Sequence, residues 1–239
     1  MNATNNSRLM KTPLMTGKVR VVPLMNTETS RVMGKKENAR DDRTLAEVDG
    51  PWGSLRISMD GYPVSIRAQI DGQMVATLTA VSETLSEEGP VPTFTDRDVP
   101  VVLGDVHAGV RFVAEGSRLR PAGRRRYLRI TSPDQTWTYG STQTQTTTGH
   151  PLSKVLGSVN TATELRRGPD PATGTLIVSF EHNGQDDEKD PSGRNYITLS
   201  WADGTTVSEI VLTLLLFLGT NEVKLMPLWW RGFDAGGAY

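Results

Sequence analysis

Apolar and polar positions alternate along much of this chain. In Ser54–Met59, Leu55, Ile57 and Met59 alternate with Ser54, Arg56 and Ser58, and Val64, Ile66, Ala68 and Ile70 repeat that period. A period of two places the apolar residues on one face of a strand. Asp71-Gly72 follows, and Met74, Ala76 and Leu78 alternate again. Asp-Gly between two alternating runs predicts a tight hairpin, because both turn positions need positive φ. Further strands are expected at Lys18–Pro23, Val99–Leu103, Ala108–Ala114, Tyr127–Thr131, Thr136–Tyr139, Val155–Thr161, Thr175–Phe180 and Tyr196–Trp201. Leu176, Val178 and Phe180 form the apolar face of one of these; Ile197, Leu199 and Trp201 form that of another.

The intervening stretches are polar. Ser82–Asp98 is acidic and proline-rich, and Glu181–Arg194 is hydrophilic; both read as loops. Ser141–Gly149 (STQTQTTTG) reads either as a polar loop or as an edge strand whose threonines suit a pleated surface. Met1–Lys11 is polar and patternless. Arg31–Asp49 mixes both charge signs and reads as a solvated arm, with a short helix as the alternative. No internal repeat of fixed period is present.

After Trp201 the pattern changes. Asp203-Gly204 predicts a turn, and Thr206-Val207-Ser208-Glu209 fits a capping box with Thr206 as N-cap. Ile210, Val211, Leu212, Leu214, Leu215, Leu216, Phe217 and Leu218 follow, interrupted only by Thr213, and Gly219 suits a left-handed end. A helix that is apolar all round must be enclosed on every side. Residues 207–218 rise about 18 Å, short of a hydrocarbon core of about 30 Å. A buried helix is therefore expected, with a buried strand as the competing form. One enclosed helix among many short strands implies a mainly β (all-β) fold, a closed or nearly closed β-barrel around a C-terminal buried hydrophobic helix. Such a barrel needs more than about eight strands, since eight fill with their own side chains.

The segment YITLSWADGTTVSEIVLTLLLFLG (residues 196–219), preceded by TGTLIVSFEHNG, resembles the end of the tubby C-terminal-like superfamily, which includes the LURP-one-related proteins and the phospholipid scramblases. The resemblance implies a twelve-stranded barrel around a central hydrophobic helix, and association with phosphoinositides or membrane surfaces. It is strongest over the last third of the chain. The chain departs from the scramblases in having no cysteine and no counterpart of their calcium-binding segment, and no individual binding residue is carried over.

Composition narrows the remaining choices. With 26 Lys plus Arg against 27 Asp plus Glu, the net charge of −1 gives no global drive toward nucleic acid or membrane. The absence of cysteine excludes disulfides, thiolate metal sites and a cysteine nucleophile, and suits a reducing compartment. The first residues lack the apolar stretch of a signal peptide. A cytoplasmic location and no transmembrane segment are the expectation. The chain divides into a polar N-terminal arm with a candidate first strand (1–49), a barrel domain (50–219) and an aromatic tail (220–239).

The densest charge feature comprises Arg111, Arg118, Arg120, Arg124, Arg125, Arg126 and Arg129, opposed only by Glu115. Alternation with Leu128 and Ile130 puts Arg125, Tyr127 and Arg129 on one outward, exposed face. Arg118, Arg120, Arg124, Arg125, Arg126 and Arg129 are the candidate ligand-binding residues, suited to phosphate groups such as anionic lipid headgroups; the alternative is a solvated loop balancing acidic neighbours. Asp186, Asp187, Glu188 and Asp190 lack EF-hand spacing, and His107, His150 and His182 lack metal-ligand spacing. No nucleophile elbow, phosphate-binding loop or dinucleotide motif occurs, so neither catalysis nor a cofactor is expected. Trp229, Trp230 and Phe233 either pack across a barrel mouth or anchor a partner. The expected function is a non-enzymatic module recognising anionic phospholipid headgroups or a membrane surface. The alternative is a structural or assembly protein of a phage particle or bacterial apparatus.

Overall fold

The computed structural model describes residues 3–24, 43–60, 65–79, 85–86, 89–90, 98–115, 125–145, 159–182 and 196–219. Twelve strands close into one antiparallel barrel. They are β1 (Gly17–Pro23), β2 (Arg43–Gly50), β3 (Gly53–Asp60), β4 (Ser65–Ile70), β5 (Gln73–Thr79), β6 (Val99–Leu103), β7 (Val106–Glu115), β8 (Arg125–Thr131), β9 (Thr136–Gln145), β10 (Val159–Arg167), β11 (Thr175–His182) and β12 (Ile197–Trp201). Each strand pairs with the next in sequence, and β12 pairs with β1, from Trp201↔Gly17 to Ile197↔Val21. The barrel is a plain meander, so closure removes every sheet edge without a crossover.

The predicted hairpin joins β4 and β5, with Asp71 at φ 49° and Gly72 at φ 79°. The sheet also departs from strict alternation at bulges, where two residues oppose one. In β5, Ala68 pairs with Ala76 but Gln69 with Met74, so Val75 is extra; it points inward and Met74 is turned out to 43% exposure. In β11 the same device at Ile177 turns Leu176 out while Ile177 and Val178 are buried. Strict period-two reading put Met74 and Leu176 on the core face; the extra residue reverses them. A third bulge buries both Leu45 and Ala46 of β2.

The barrel begins earlier than residue 50. β1 and β2 are full members of it, and a helix α1 (Ala3–Met10) precedes them. β2 escapes the eye because charged Glu47 and Asp49 alternate with the buried Ala46 and Val48, so a half-buried strand resembles a solvated arm. The polar tract begun at Ser141 continues β9 through Gln145, paired with Val159. The aromatic tail 220–239, with Trp229, Trp230 and Phe233, lies outside the described residues.

Helix α2 (Val207–Phe217) opens with the predicted capping box at Thr206 and Glu209, and every residue of it except Ser208 is buried. It contacts β11 on one side and β4 and β5 on the other, strands separated around the ring by β12, β1, β2 and β3. The helix therefore lies inside the barrel, where its uniformly apolar surface is satisfied. Near its far end Phe217 meets Phe180 of β11 with ring centroids 4.4 Å apart. Thr213, its lone central polar residue, is fully buried and donates its hydroxyl hydrogen to the Glu209 carbonyl at 2.6 Å. Leu218 keeps right-handed angles and the last residues wind as a π turn, in place of the expected left-handed Gly219.

The two rims differ. At the near rim, where α2 enters, strands are joined by connections 51–52, 71–72, 104–105, 132–135 and 168–174. At the far rim the connections are 24–42, 61–64, 80–98, 116–124, 146–158 and 183–196. The described part of the long 80–98 connection includes a two-residue ribbon, Leu85–Ser86 against Gly89–Pro90.

Candidate functional site

Helix α2 and the core side chains are buried inside the barrel, and the described clusters of charged side chains lie on the outer face of the sheet and at the near rim. On β7–β10, register places one row of residues across four strands: Arg111 opposite Arg129, Arg129 opposite Thr138, and Thr138 opposite Arg166. Directly opposite residues share a face, and this row is the outer one, because Val110, Leu128, Ile130, Trp137, Tyr139 and Leu165 are buried on the other. Two adjacent arginines in such a row repel unless each has a counter-charge nearby.

Each arginine has one. Arg111 Nε donates to Asp98 Oδ1 at 2.6 Å, and Arg166 Nε donates to Glu164 Oε2 at 2.8 Å. Arg166 also donates from Nη1 to the Gly174 carbonyl at 3.0 Å. At the centre, Tyr127 donates its hydroxyl hydrogen to Glu115 Oε1 at 2.8 Å and accepts from Arg129 Nη2 at 2.7 Å. Arg129 lies 3.4 Å from Glu115 Oε1, and its guanidinium lies 5.6 Å from the Tyr127 ring centroid. Burial and the Glu115 hydrogen bond raise the Tyr127 pKa above 10.0, against the opposing influence of Arg129. Among the described residues, Arg129 Nε and Thr138 Oγ1 on this face are buried without a hydrogen-bond partner, Thr138 being 1% exposed.

The sequence reading placed Arg125, Tyr127 and Arg129 on one outward face, and the strand register agrees. Tyr127 is nevertheless 2% exposed, contrary to the exposed position expected of it. Arg125 and Arg126 pair through their backbones with Glu115 and Ala114; their side chains lie outside the described atoms. Arg118, Arg120 and Arg124 lie outside the described residues. Arg166 and Glu164 were not singled out from the sequence, since only the first residues of β10 were read as strand; Thr138 lies in a stretch read as strand and was not singled out either. The adjacent Arg166-Arg167 pair was the available signal.

A second polar cluster sits at the near rim. Glu209, 3% exposed, accepts hydrogen bonds at Oε1 from Trp137 Nε1 (2.9 Å) and Arg167 Nε (3.0 Å). At Oε2 it accepts from Arg167 Nη2 (2.8 Å), Thr206 N (2.9 Å) and Thr206 Oγ1 (3.1 Å). Burial pushes the carboxyl pKa up, but the Arg167 hydrogen bonds, the Thr206 backbone, the Trp137 indole and the Arg167 charge outweigh it and hold the pKa below 4.5. A carboxylate so fully engaged is a fastening between α2, β9 and β10 and has no lone pair free for proton transfer.

Among the described residues, no group of three or more His, Cys, Asp or Glu is placed to hold a metal ion, and no helix is long and apolar enough to cross a membrane. The acidic residues Asp186–Asp190 and His150 lie outside the described residues. No protein-family model matches the chain, and no curated protein or solved structure matches it significantly.

Proposed function

We propose that this barrel is a non-catalytic binding module whose ligand is an anionic surface, the headgroup phosphates of phospholipids, met by the outer face of β7–β10. The observation that carries the reading is the row Arg111–Arg129–Thr138–Arg166. At an inter-strand spacing of about 4.8 Å, it spans about 14 Å. Guanidinium forks match phosphate oxygens two at a time. The Arg111–Asp98 and Arg129–Glu115 pairs are solvent-exposed, and such pairs are weak enough to be exchanged for phosphate; the Arg166–Glu164 pair is the more enclosed of the three. The barrel supplies the frame that keeps the row in register.

The test is co-sedimentation with vesicles of phosphatidylcholine alone or mixed with phosphatidylserine. Binding to the mixed vesicles alone is expected, falling as sodium chloride shortens the screening length. The triple variant Arg111→Gln, Arg129→Gln, Arg166→Gln is expected to lose it while keeping its circular dichroism spectrum. Equal binding to neutral vesicles, no binding to either, or full binding by the folded triple variant overturns the proposal.

A further inference from the structure

Among the described residues, large apolar side chains stand exposed at Met15 (79%), Met74 (43%) and Leu176 (38%). Two of them come to one corner of the near rim. Leu14 packs against the core, so Met15, its neighbour in an extended segment, faces away from it. Gly204 N donates to the Leu14 carbonyl at 3.0 Å, and Trp201 Nε1 donates to the Met15 carbonyl at 2.6 Å. From the other side of the same turn, Ala202 N donates to the Ile177 carbonyl at 2.9 Å, and the Thr205 hydroxyl donates to it at 3.1 Å. Backbone hydrogen bonds thus tie Leu14 and Ile177, the neighbours of Met15 and Leu176, to the one Ala202–Thr205 turn.

Leu176 owes its outward aim to the bulge at Ile177. The extra residue leaves Leu176 opposite Arg166 on the outer face, so the arginine row ends in a leucine. Beside it the β10–β11 connection exposes Pro169 and Ala172. Lys18, three residues after Met15, is exposed on the same outer face, opposite Ser200. Asp203, in the turn itself, is the opposing exposed charge. One exposed apolar side chain on a protein surface is ordinary. Two at one corner, with outward bases on either side, have the composition of an interfacial anchor.

We infer that the Met15–Leu176 corner is the part of the barrel that enters the lipid surface, a step that rests on the anionic-lipid reading of the arginine row. Met15 and Leu176 sit at the boundary of headgroups and acyl chains, while Arg166 and Lys18 meet the phosphates. A soluble phosphate offers the arginines the same oxygens but leaves both apolar side chains in water; a bilayer takes both. The near rim therefore points toward the membrane. Met74 supplies the contrast: it is also turned out by a bulge, but β5 lies six strands from β11 around the twelve-stranded ring and faces the opposite way.

The chain has no cysteine, so one environment-sensitive fluorophore can be placed at a time, in full-length Met15→Cys, Leu176→Cys or Met74→Cys. Each is mixed with phosphatidylcholine–phosphatidylserine vesicles whose acyl chains carry a nitroxide quencher, and co-sedimentation is read on the same samples. Expected are blue-shifted, quenched emission at positions 15 and 176 and unchanged emission at 74, with all three proteins sedimenting. The unlabelled double variant Met15→Asp/Leu176→Asp should bind the vesicles about tenfold more weakly or worse, with its circular dichroism spectrum unchanged. Co-sedimentation with the fluorophores at 15 and 176 still in water overturns insertion and leaves headgroup binding standing. Equal quenching at 74, or full binding by the folded double variant, does the same. Emission at 15 and 176 that shifts with protein concentration in the absence of vesicles assigns the corner to a second copy and overturns insertion. Failure of every protein to sediment with the vesicles removes insertion together with the headgroup reading.

Discussion

Arg167 and Glu209 meet as a two-point fork at the near rim, Nε to Oε1 at 3.0 Å and Nη2 to Oε2 at 2.8 Å. The pair joins the last residue of β10 to the first turn of α2, and Trp137 of β9 donates to the same carboxylate. Glu209 is buried but Arg167 keeps 36% of its side chain exposed, so solvent compensates part of the charge left behind and the loss falls below that of a fully buried pair. Glu209→Gln is therefore expected to lower the unfolding free energy by about 1.5–3 kcal/mol in urea titration, with the secondary structure retained. A loss well under 1 kcal/mol would show that the fork is ornamental.

The same carboxylate sets an acid limb. Its folded pKa lies below the value of 4.5 that applies to the exposed group, so the unfolded chain takes up the proton first as pH falls. The stabilisation is complete above about pH 4.5 and drains away as pH drops toward and through the folded pKa. Thermal melts between pH 7 and pH 3 should show wild type losing stability more steeply below pH 4.5 than Glu209→Gln. Parallel curves for the two proteins contradict this assignment.

The enclosure of α2 is tested around its circumference. Leu212, Leu214 and Leu215 point in widely different directions, at about 100° per residue, Leu216 shares the Leu212 side, and all four have zero exposure. Each Leu→Ala change is expected to cost about 2–5 kcal/mol, read from the midpoint of denaturant unfolding. A helix lying on an open sheet would instead show a near-neutral direction.

Two glycines separate backbone strain from steric conflict. Gly72 has φ 79° with nothing within 4 Å of a Cβ, so Gly72→Ala should cost only the left-handed strain of about 1–2 kcal/mol. Gly53 has φ 103°, and a Cβ there would stand 2.6 Å from Asp71 Oδ2, while Asp71 Oδ1 accepts from Ser54 N at 3.0 Å. Gly53→Ala should therefore be the more destabilising by differential scanning calorimetry. Equal melting temperatures for the two variants would remove the Asp71 contact from the explanation.

Local chemistry made much of the fold legible. Alternation, the Asp71-Gly72 turn and the Thr206–Glu209 capping box depend on neighbours within a few residues, and each appears where the pattern put it. The demand that α2 be surrounded also follows from its residues alone, since no arrangement in water tolerates such a surface. What surrounds it, and what pairs across the sheet, depends on residues far apart in the chain. An extra residue in β5 or β11 changes which side chain faces inward only once the partner strand sets the register, so Met74 and Leu176 were misread. β2 reads as an arm until β1 and β3 flank it. The arginine row is likewise a product of register: Arg111, Arg129 and Arg166 are scattered in sequence, and only hydrogen-bonded pairing of four strands aligns them. Near neighbours determine turns, caps and faces; closure of the sheet decides which faces, charges and chain ends meet.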